Sequence, residues 1–458
     1  MKKILMNAVH MSCVGDIAHG LWTHPRDQSE RYTDSAYWVE LAQALERGRF
    51  DNLFLADIIG ANDVFEGRPD AALREAVQMP IDDPLLLVPL MAHATRHLGF
   101  GVTVNLTYEH PFPLARRFTT LDHLSRGRVA WNIVTGFLDS AARGMGLARQ
   151  HGHDERYERA EDFMAAAYKL WEGSWEDDAV VRDRAHRVYT EPTRVHAIDH
   201  DGPYYRVQAA HLSEPSVQRT PVLFQAGAST RGLDFAARHA ECVFVSGNKQ
   251  QAREIVAKIR QRATAFGRNP QDLRFFLGVV VVVAPTDGLA QEKYAEYRLH
   301  ASAQAGLAHF SSQTGIDFSR YDLDEPISLV KTDAVQSFLE SVTTQSEKRW
   351  SVRKLLDQMT LGSRHTPIVG SPQRVADELE SWVRDADIDG FNLVRTVVPE
   401  GFVDFVDLVV PELQSRGSYK TEYTEGSLRD KLFGAGPRLP ARHPAGAYRV
   451  GAEPRNLA

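Results

Sequence analysis

Residues 99–136 read GFGVTVNLTYEHPFPLARRFTTLDHLSRGRVAWNIVTG and contain a strand, a helix and a second strand in sequence. The run 99–106 is nearly all apolar or β-branched, the pattern of a strand buried on both faces, and 129–135 repeats it. Between them, 114–124 places its apolar residues at helical spacing. Two buried strands joined by a helical crossover form a parallel pair, because a crossover returns the chain to the same edge in the same direction.

The same alternation extends outward in both directions. Apolar runs at 4–9, 52–56, 222–226, 242–246, 275–284 and 390–397 read as further buried strands. Amphipathic segments at 35–47, 85–96, 157–171, 231–239, 250–266 and 372–384 read as helices. About eight strand-and-helix repeats favour a closed barrel over an open doubly wound sheet, so the expected fold is an α/β chain forming a (β/α)8 TIM barrel. An open dinucleotide-binding sheet would carry a Gly-x-Gly-x-x-Gly turn after an early strand, and none is present. Segments 11–33, 58–84, 172–218 and 292–365 break the alternation and are read as insertions, the last mostly helical. The barrel with its insertions is expected over 1–416. Residues 417–458 lose periodicity and gain Gly, Pro and Arg, and are read as an extended C-terminal tail wrapping the barrel or a partner subunit.

Composition narrows the function without selecting one. The chain of 458 residues is 43% hydrophobic and 25% charged, which is ordinary for a globular domain. A formal net charge of -7 offers no basic surface for a phosphate backbone, so no nucleic-acid partner is expected. The opening MKKILMNAVHMSC is too short in apolar residues for a signal sequence, and no run of about 18 apolar residues exists, so no membrane association and a cytoplasmic location are expected. Cys13 and Cys242 are the only cysteines and form no CxxC, which leaves no disulfide framework. No metal is expected, since the histidines include no HExxH and only His19, His24 and the His151-x-His153 pair offer any grouping. No Gly-x-Ser-x-Gly elbow supports serine hydrolysis.

In a parallel barrel the chemistry gathers at the C-terminal ends of the strands. There Asp57 closes the second strand, Thr103, Asn105 and Thr107 stand on the third, and Asn132 stands on the fourth beside Trp131, which is read as packing. His153 and Tyr157 are four apart and share a helix face, while Asp154, Glu155 and Arg156 read as a solvated first turn. Residues 227–232, Gly-Ala-Ser-Thr-Arg-Gly, follow the fifth strand. Small residues let a ligand approach the backbone, Ser229 can cap the next helix, and Thr230 and Arg231 add an open helix start and a positive charge. That combination suits a phosphate monoester.

These residues lie within ordered motifs that resemble a known family. FLAD at 54–57, the stretch 99–136, HDERYERAEDF at 153–163, KLWEGSWEDDAV at 169–180, VHAIDHDGPYYRV at 195–207, PVLFQAGAS at 221–229 and VVPELQSRG at 409–417 are similar to the bacterial-luciferase-like flavin monooxygenases. The likeness spans about residues 3–432 and falls in the nitrilotriacetate and dibenzothiophene-sulfone subfamily. MNAVHMSCVGD at 6–16 and the loop at 63–84 bring it nearest the branch that oxidises dimethyl sulfide.

The resemblance implies a luciferase-like barrel holding FMN at the strand ends. Asp57, Thr103, His153, Tyr157 and Ser229 fall on the family's flavin positions, with Thr230 and Arg231 beside the phosphate. His153, as a hydrogen-bond donor to the activated oxygen, and Asn132, at the edge of the ring pocket, are the expected catalytic residues. The chain would use FMN reduced by a separate NADH-dependent flavin reductase, which could reach it by diffusion alone, together with O2 and a small-molecule substrate. A homodimer or homotetramer is expected. The implied reaction is oxidative demethylation of a methyl thioether such as dimethyl sulfide; the alternatives are oxygenation of a sulfone, sulfonate or aminopolycarboxylate, deazaflavin-dependent dehydrogenation, or flavin binding without catalysis. Sulfone-oxidising relatives carry His where this chain has Gln313, in a segment expected to form a lid, which disfavours a bulky aromatic sulfone.

Overall fold

The computed structural model describes residues 2–227, 229–325, 327, 350–359, 361 and 367–451. Eight strands form its centre: β1 (Leu5–Met11), β2 (Asn52–Ala56), β3 (Gly99–Asn105), β4 (Val129–Val134), β5 (Val222–Gln225), β6 (Cys242–Val245), β7 (Arg274–Val283) and β8 (Gly390–Val394). Each pairs in parallel with the next, and β8 pairs with β1 through Asn7 opposite Asn392, which closes the barrel. The expected parallel barrel is therefore the observed one.

Helices pack outside the strands they follow, among them α1 (Ser35–Arg47), α2 (Val88–Ala94), α3 (Pro111–Ser125), α4 (His153–Tyr168), α5 (Thr230–His239) and α6 (Lys249–Ala265). The β3–α3–β4 unit accounts for Trp131. Its ring is fully buried, lies 5.5 Å from Phe118 of α3 and 5.9 Å from Phe163 of α4, and its Nε1 donates to the Val104 carbonyl at 3.1 Å. Burial of the large ring with its one donor satisfied makes it a packing residue.

The insertions contain more structure than their sequence suggests. Within 172–218 lie two antiparallel hairpins, Val180–Asp183 with Val188–Thr190 and Ile198–Asp201 with Arg206–Ala209. A ninth parallel strand, Pro367–Gly370, extends the sheet from the C-terminal half of β7. The described part of 292–365 includes α7 (Ala303–Thr314) and a helix at Val352–Met359, whereas residues 328–349 and the Gly362-Ser363 turn lie outside the described residues. After the ninth strand comes α8 (Pro372–Ala386).

From Gly417 the tail runs beneath the barrel and carries a short helix, α9 (Leu428–Phe433). Leu428 and Leu432 pack against Phe54, Phe224 and Phe276 from the barrel interior. The Leu428 amide bonds the carbonyl of Gly127, just before β4 begins, so this helix sits at the N-terminal mouth. With that mouth filled by apolar side chains, the open space of the barrel is at the opposite, C-terminal end.

Candidate functional site

A cavity of about 520 Å3 occupies that end. Val9 and Met11 of β1, Phe54 of β2 and Val394 of β8 contribute apolar wall, and Ile58, Ile59 and Phe137 add more from the loops. Most of the surface is hydrocarbon with a few polar groups at fixed positions, the usual make-up of a small-molecule site.

One end is built by α4 and α5. Ser229 caps α5, its Oγ accepting the Gly232 amide at 3.0 Å, as its place after a strand and before a helix foretells. The amides of Thr230 and Arg231 open the same helix, where the helix dipole is positive. His153 Nε2 lies 3.1 Å from Ser229 Oγ, and His153 Nδ1 lies 2.8 Å from the Asp154 carboxylate. Both ring nitrogens of His153 are thus engaged, and where Nε2 donates to Ser229 Oγ the single Ser229 hydroxyl proton is left for a ligand. One turn on, the Tyr157 ring packs 5.2 Å from His153. Burial raises the Tyr157 hydroxyl, against a hydrogen bond to Ser229 and the charge of Arg156, so it stays a donor near neutral pH.

Two glycines make this turn possible. A Cβ on Gly227 would stand 2.9 Å from both the Gly232 Cα and the Tyr157 hydroxyl, and one on Gly232 would stand 2.8 Å from that hydroxyl. The turn, the start of α5 and Tyr157 thus pack at distances that only glycine allows. Arg156, only 3% exposed, lines the same cavity. A capped helix start, a close-packed glycine turn and a buried cation together fit the phosphate of FMN.

The opposite end is acidic. Asp57 lines the cavity just after β2, and its carboxyl is raised to about 6 by burial, opposed by the Ile58 amide and reinforced by Asp83. Asp16, from the loop after β1, lines it too. Above them, Gln313 and His309 of α7 face the cavity and bond each other at 2.9 Å, and His309 Nδ1 in turn meets His19 Nε2 at 2.9 Å.

The structure therefore brings Asp57, His153, Tyr157, Ser229 and Gln313 to one cavity. Thr103 and Asn132 lie one layer below, on the faces of β3 and β4 that carry the lining residues Asn105 and Val134. They face each other in register on β3 and β4, Asn132 Nδ2 donating to Thr103 Oγ1 at 2.9 Å, and neither belongs to the lining. Thr230 and Arg231 lie beyond the lining on the first turn of α5.

Sequence reasoning missed Arg156, Asp16, Gln78 and His309, all of which line the cavity. Arg156 reads as solvated among charged neighbours but is buried, and its spacing of four from the buried Ala160 is the signal that could have placed it inward. Asp16 lies in an irregular loop that has no periodicity to read.

Among the described residues, no group of three His, Cys, Asp or Glu could hold a metal ion, and no helix is long and apolar enough to cross a membrane. Cys13 and Cys242 are both buried and free.

A family model described as luciferase-like monooxygenase matches residues 17–389. The chain is 49% identical to a long-chain alkane monooxygenase of Geobacillus thermodenitrificans, covering 98% of each. It is 47% identical to the dimethyl-sulfide monooxygenase of Hyphomicrobium sulfonivorans, over 98% of this chain and 94% of that one. It is 34% identical to nitrilotriacetate monooxygenase component A of Aminobacter aminovorans, over 96% and 99% of the two chains, a protein whose name marks it as one component of a system. The crystal structure of a long-chain alkane monooxygenase superposes with a TM-score of 0.91 at 48% identity, covering 98% of this chain and all of that one. The alkane and dimethyl-sulfide relatives are almost equally similar, so the likeness to the dimethyl-sulfide branch is shared with the alkane branch.

Proposed function

The chain belongs to the luciferase-like monooxygenase family, and on that premise we propose that it is the oxygenase component of a two-component system, using reduced FMN and O2 to oxidise a small neutral molecule, with a methyl thioether first among the candidates. The observation that carries this reading is the phosphate-fitting turn of Ser229, Gly227 and Gly232 with buried Arg156, opening onto an apolar cavity.

Reduced flavin, when bound, supplies the electrons that let one oxygen atom enter the substrate while the other leaves as water. For dimethyl sulfide the balance is one thioether, one O2 and two reducing equivalents, giving methanethiol, formaldehyde and water. The chain's own residues bind, orient and exclude solvent. Ser229 and Arg156 would hold the phosphate, and His153 would fix the Ser229 hydroxyl from behind. Tyr157 would close the glycine turn and Asp57 would meet the polar edge of the ring. Ile58, Ile59 and Phe137 add apolar wall to the cavity, which disfavours water and favours a neutral substrate. The lack of a dinucleotide-binding fingerprint supports delivery of reduced flavin by a separate NADH-dependent reductase.

A second reading, oxidation of an alkane, is supported by the 49% identity to the Geobacillus enzyme and by the same apolar wall. The two separate in a panel of dimethyl sulfide, hexadecane, dibenzothiophene sulfone and nitrilotriacetate, each supplied with reduced FMN and O2. Formaldehyde from dimethyl sulfide is the expected product. An alcohol from hexadecane with no formaldehyde would favour the alkane, and turnover of the sulfone or nitrilotriacetate alone would overturn both neutral-substrate readings.

A further inference from the structure

The cavity is bounded by opposite charges. Arg156 and the start of α5 follow β4 and β5, while Asp16 and Asp57 follow β1 and β2, across the ring of strands. Asp16 combines three costly features. It is 1% exposed, its Oδ2 has no hydrogen-bond partner among the described residues, and its backbone φ is 42°, in the left-handed region. Each is unfavourable for a residue with a side chain and a charge. The strained turn is pinned by the Asp16 amide, which donates to Cys13 Sγ at 3.3 Å.

Burial raises the Asp16 carboxyl to about 6, against the Arg395 charge and the Ile17 amide, so it is a carboxylate above neutral pH. Arg395 is also buried and donates to the Val14 carbonyl at 2.7 Å, but it is not part of the lining. Asp16 thus belongs to the cavity lining and Arg395 does not. Strain and an unmet hydrogen-bonding atom concentrated at a cavity wall mark a residue kept for what it does to a ligand.

We propose that Asp16 is the charge filter of the substrate end, excluding anionic molecules and admitting neutral ones. The proposal rests on the oxygenase reading only in calling the ligand a substrate. An anion there would place two like charges close together in a poorly screened space, whereas a thioether or an alkane brings no charge. The filter gives a physical reason for a thioether or alkane over a sulfonate or an aminopolycarboxylate.

The test is equilibrium binding, by calorimetry at about pH 8, of 3-(methylthio)propanol and 3-(methylthio)propionate to the FMN-loaded chain. The probes are close in size and differ by one charge. The alcohol is expected to bind at least about tenfold more tightly, and in Asp16→Asn the gap is expected to shrink to about threefold because the propionate gains affinity. Equal binding of the two probes by the native chain, binding of neither, or a gap unchanged in Asp16→Asn would each overturn the proposal. The native comparison decides even where the variant does not fold. Because binding is read rather than turnover, a chain that selects the alcohol but oxidises no substrate would contradict the oxygenase reading and leave the filter standing.

Discussion

The Ser229 side chain caps α5 through Gly232 and lines the cavity beside His153. Ser229→Ala is expected to cost about 0.5–2 kcal/mol of stability through the lost cap. It should also weaken FMN about tenfold while leaving riboflavin nearly unchanged, because the lost hydroxyl is the proposed hydrogen-bond donor to the phosphate. Equal losses for the two flavins, measured by fluorescence titration, would place the phosphate elsewhere. Asp57 makes a prediction in pH. Its carboxyl is raised from 3.8 to about 6, so the folded chain holds that proton more tightly than the unfolded chain. The resulting stability is present at low pH and is lost as pH rises through about 6. Asp57→Asn should therefore raise the urea midpoint relative to the native chain at about pH 8 and bring little gain at about pH 4.5. Ser229 was legible because capping has a local signature. Asp16 and Arg156 were not, because the burial of a charge is decided by distant elements that pack over it. Thr103 and Asn132 stand on the expected strands, but their mutual bond depends on a register that sequence does not display.

At the scale of elements, the eight barrel strands were legible as buried apolar runs alternating with amphipathic segments, even where, as in β5 and β6, the strand has only four residues. The ninth strand, Pro367–Gly370, and the hairpins within 172–218 are equally short but only partly buried, so no apolar run marks them. The short tail helix α9 is the same case, and besides its two leucines it carries one buried cation. Arg429, 1% exposed, pairs with Glu241 at 2.7 and 2.9 Å and donates to the carbonyls of Thr220, Pro221 and Pro437. This ties the tail to the start of β5 and to the residue just before β6. Arg429→Ala should cost about 3–5 kcal/mol in urea unfolding, because Glu241 is left buried without its counter-charge. Pairing Arg429→Met with Glu241→Gln should recover much of that loss. A full loss in the double variant would show that the carbonyl contacts, rather than the ion pair, anchor the tail.

For the whole molecule, closure of the barrel and filling of its lower mouth by Leu428 and Leu432 leave one end for chemistry, and there a phosphate-fitting turn and an acidic wall face each other across apolar surface. The barrel class followed from counting repeats. The cavity's polarity did not, since it requires knowing which loop residues turn inward. Coupling of reduced FMN and O2 to oxidation of a small neutral molecule is read by mixing the chain with a known amount of reduced FMN, dimethyl sulfide and O2, and counting methanethiol and formaldehyde against flavin oxidised. Both products are expected in equal amounts, approaching one of each per reduced FMN, and none when flavin or O2 is withheld. Complete flavin oxidation to hydrogen peroxide, with neither dimethyl sulfide nor hexadecane consumed, would contradict it.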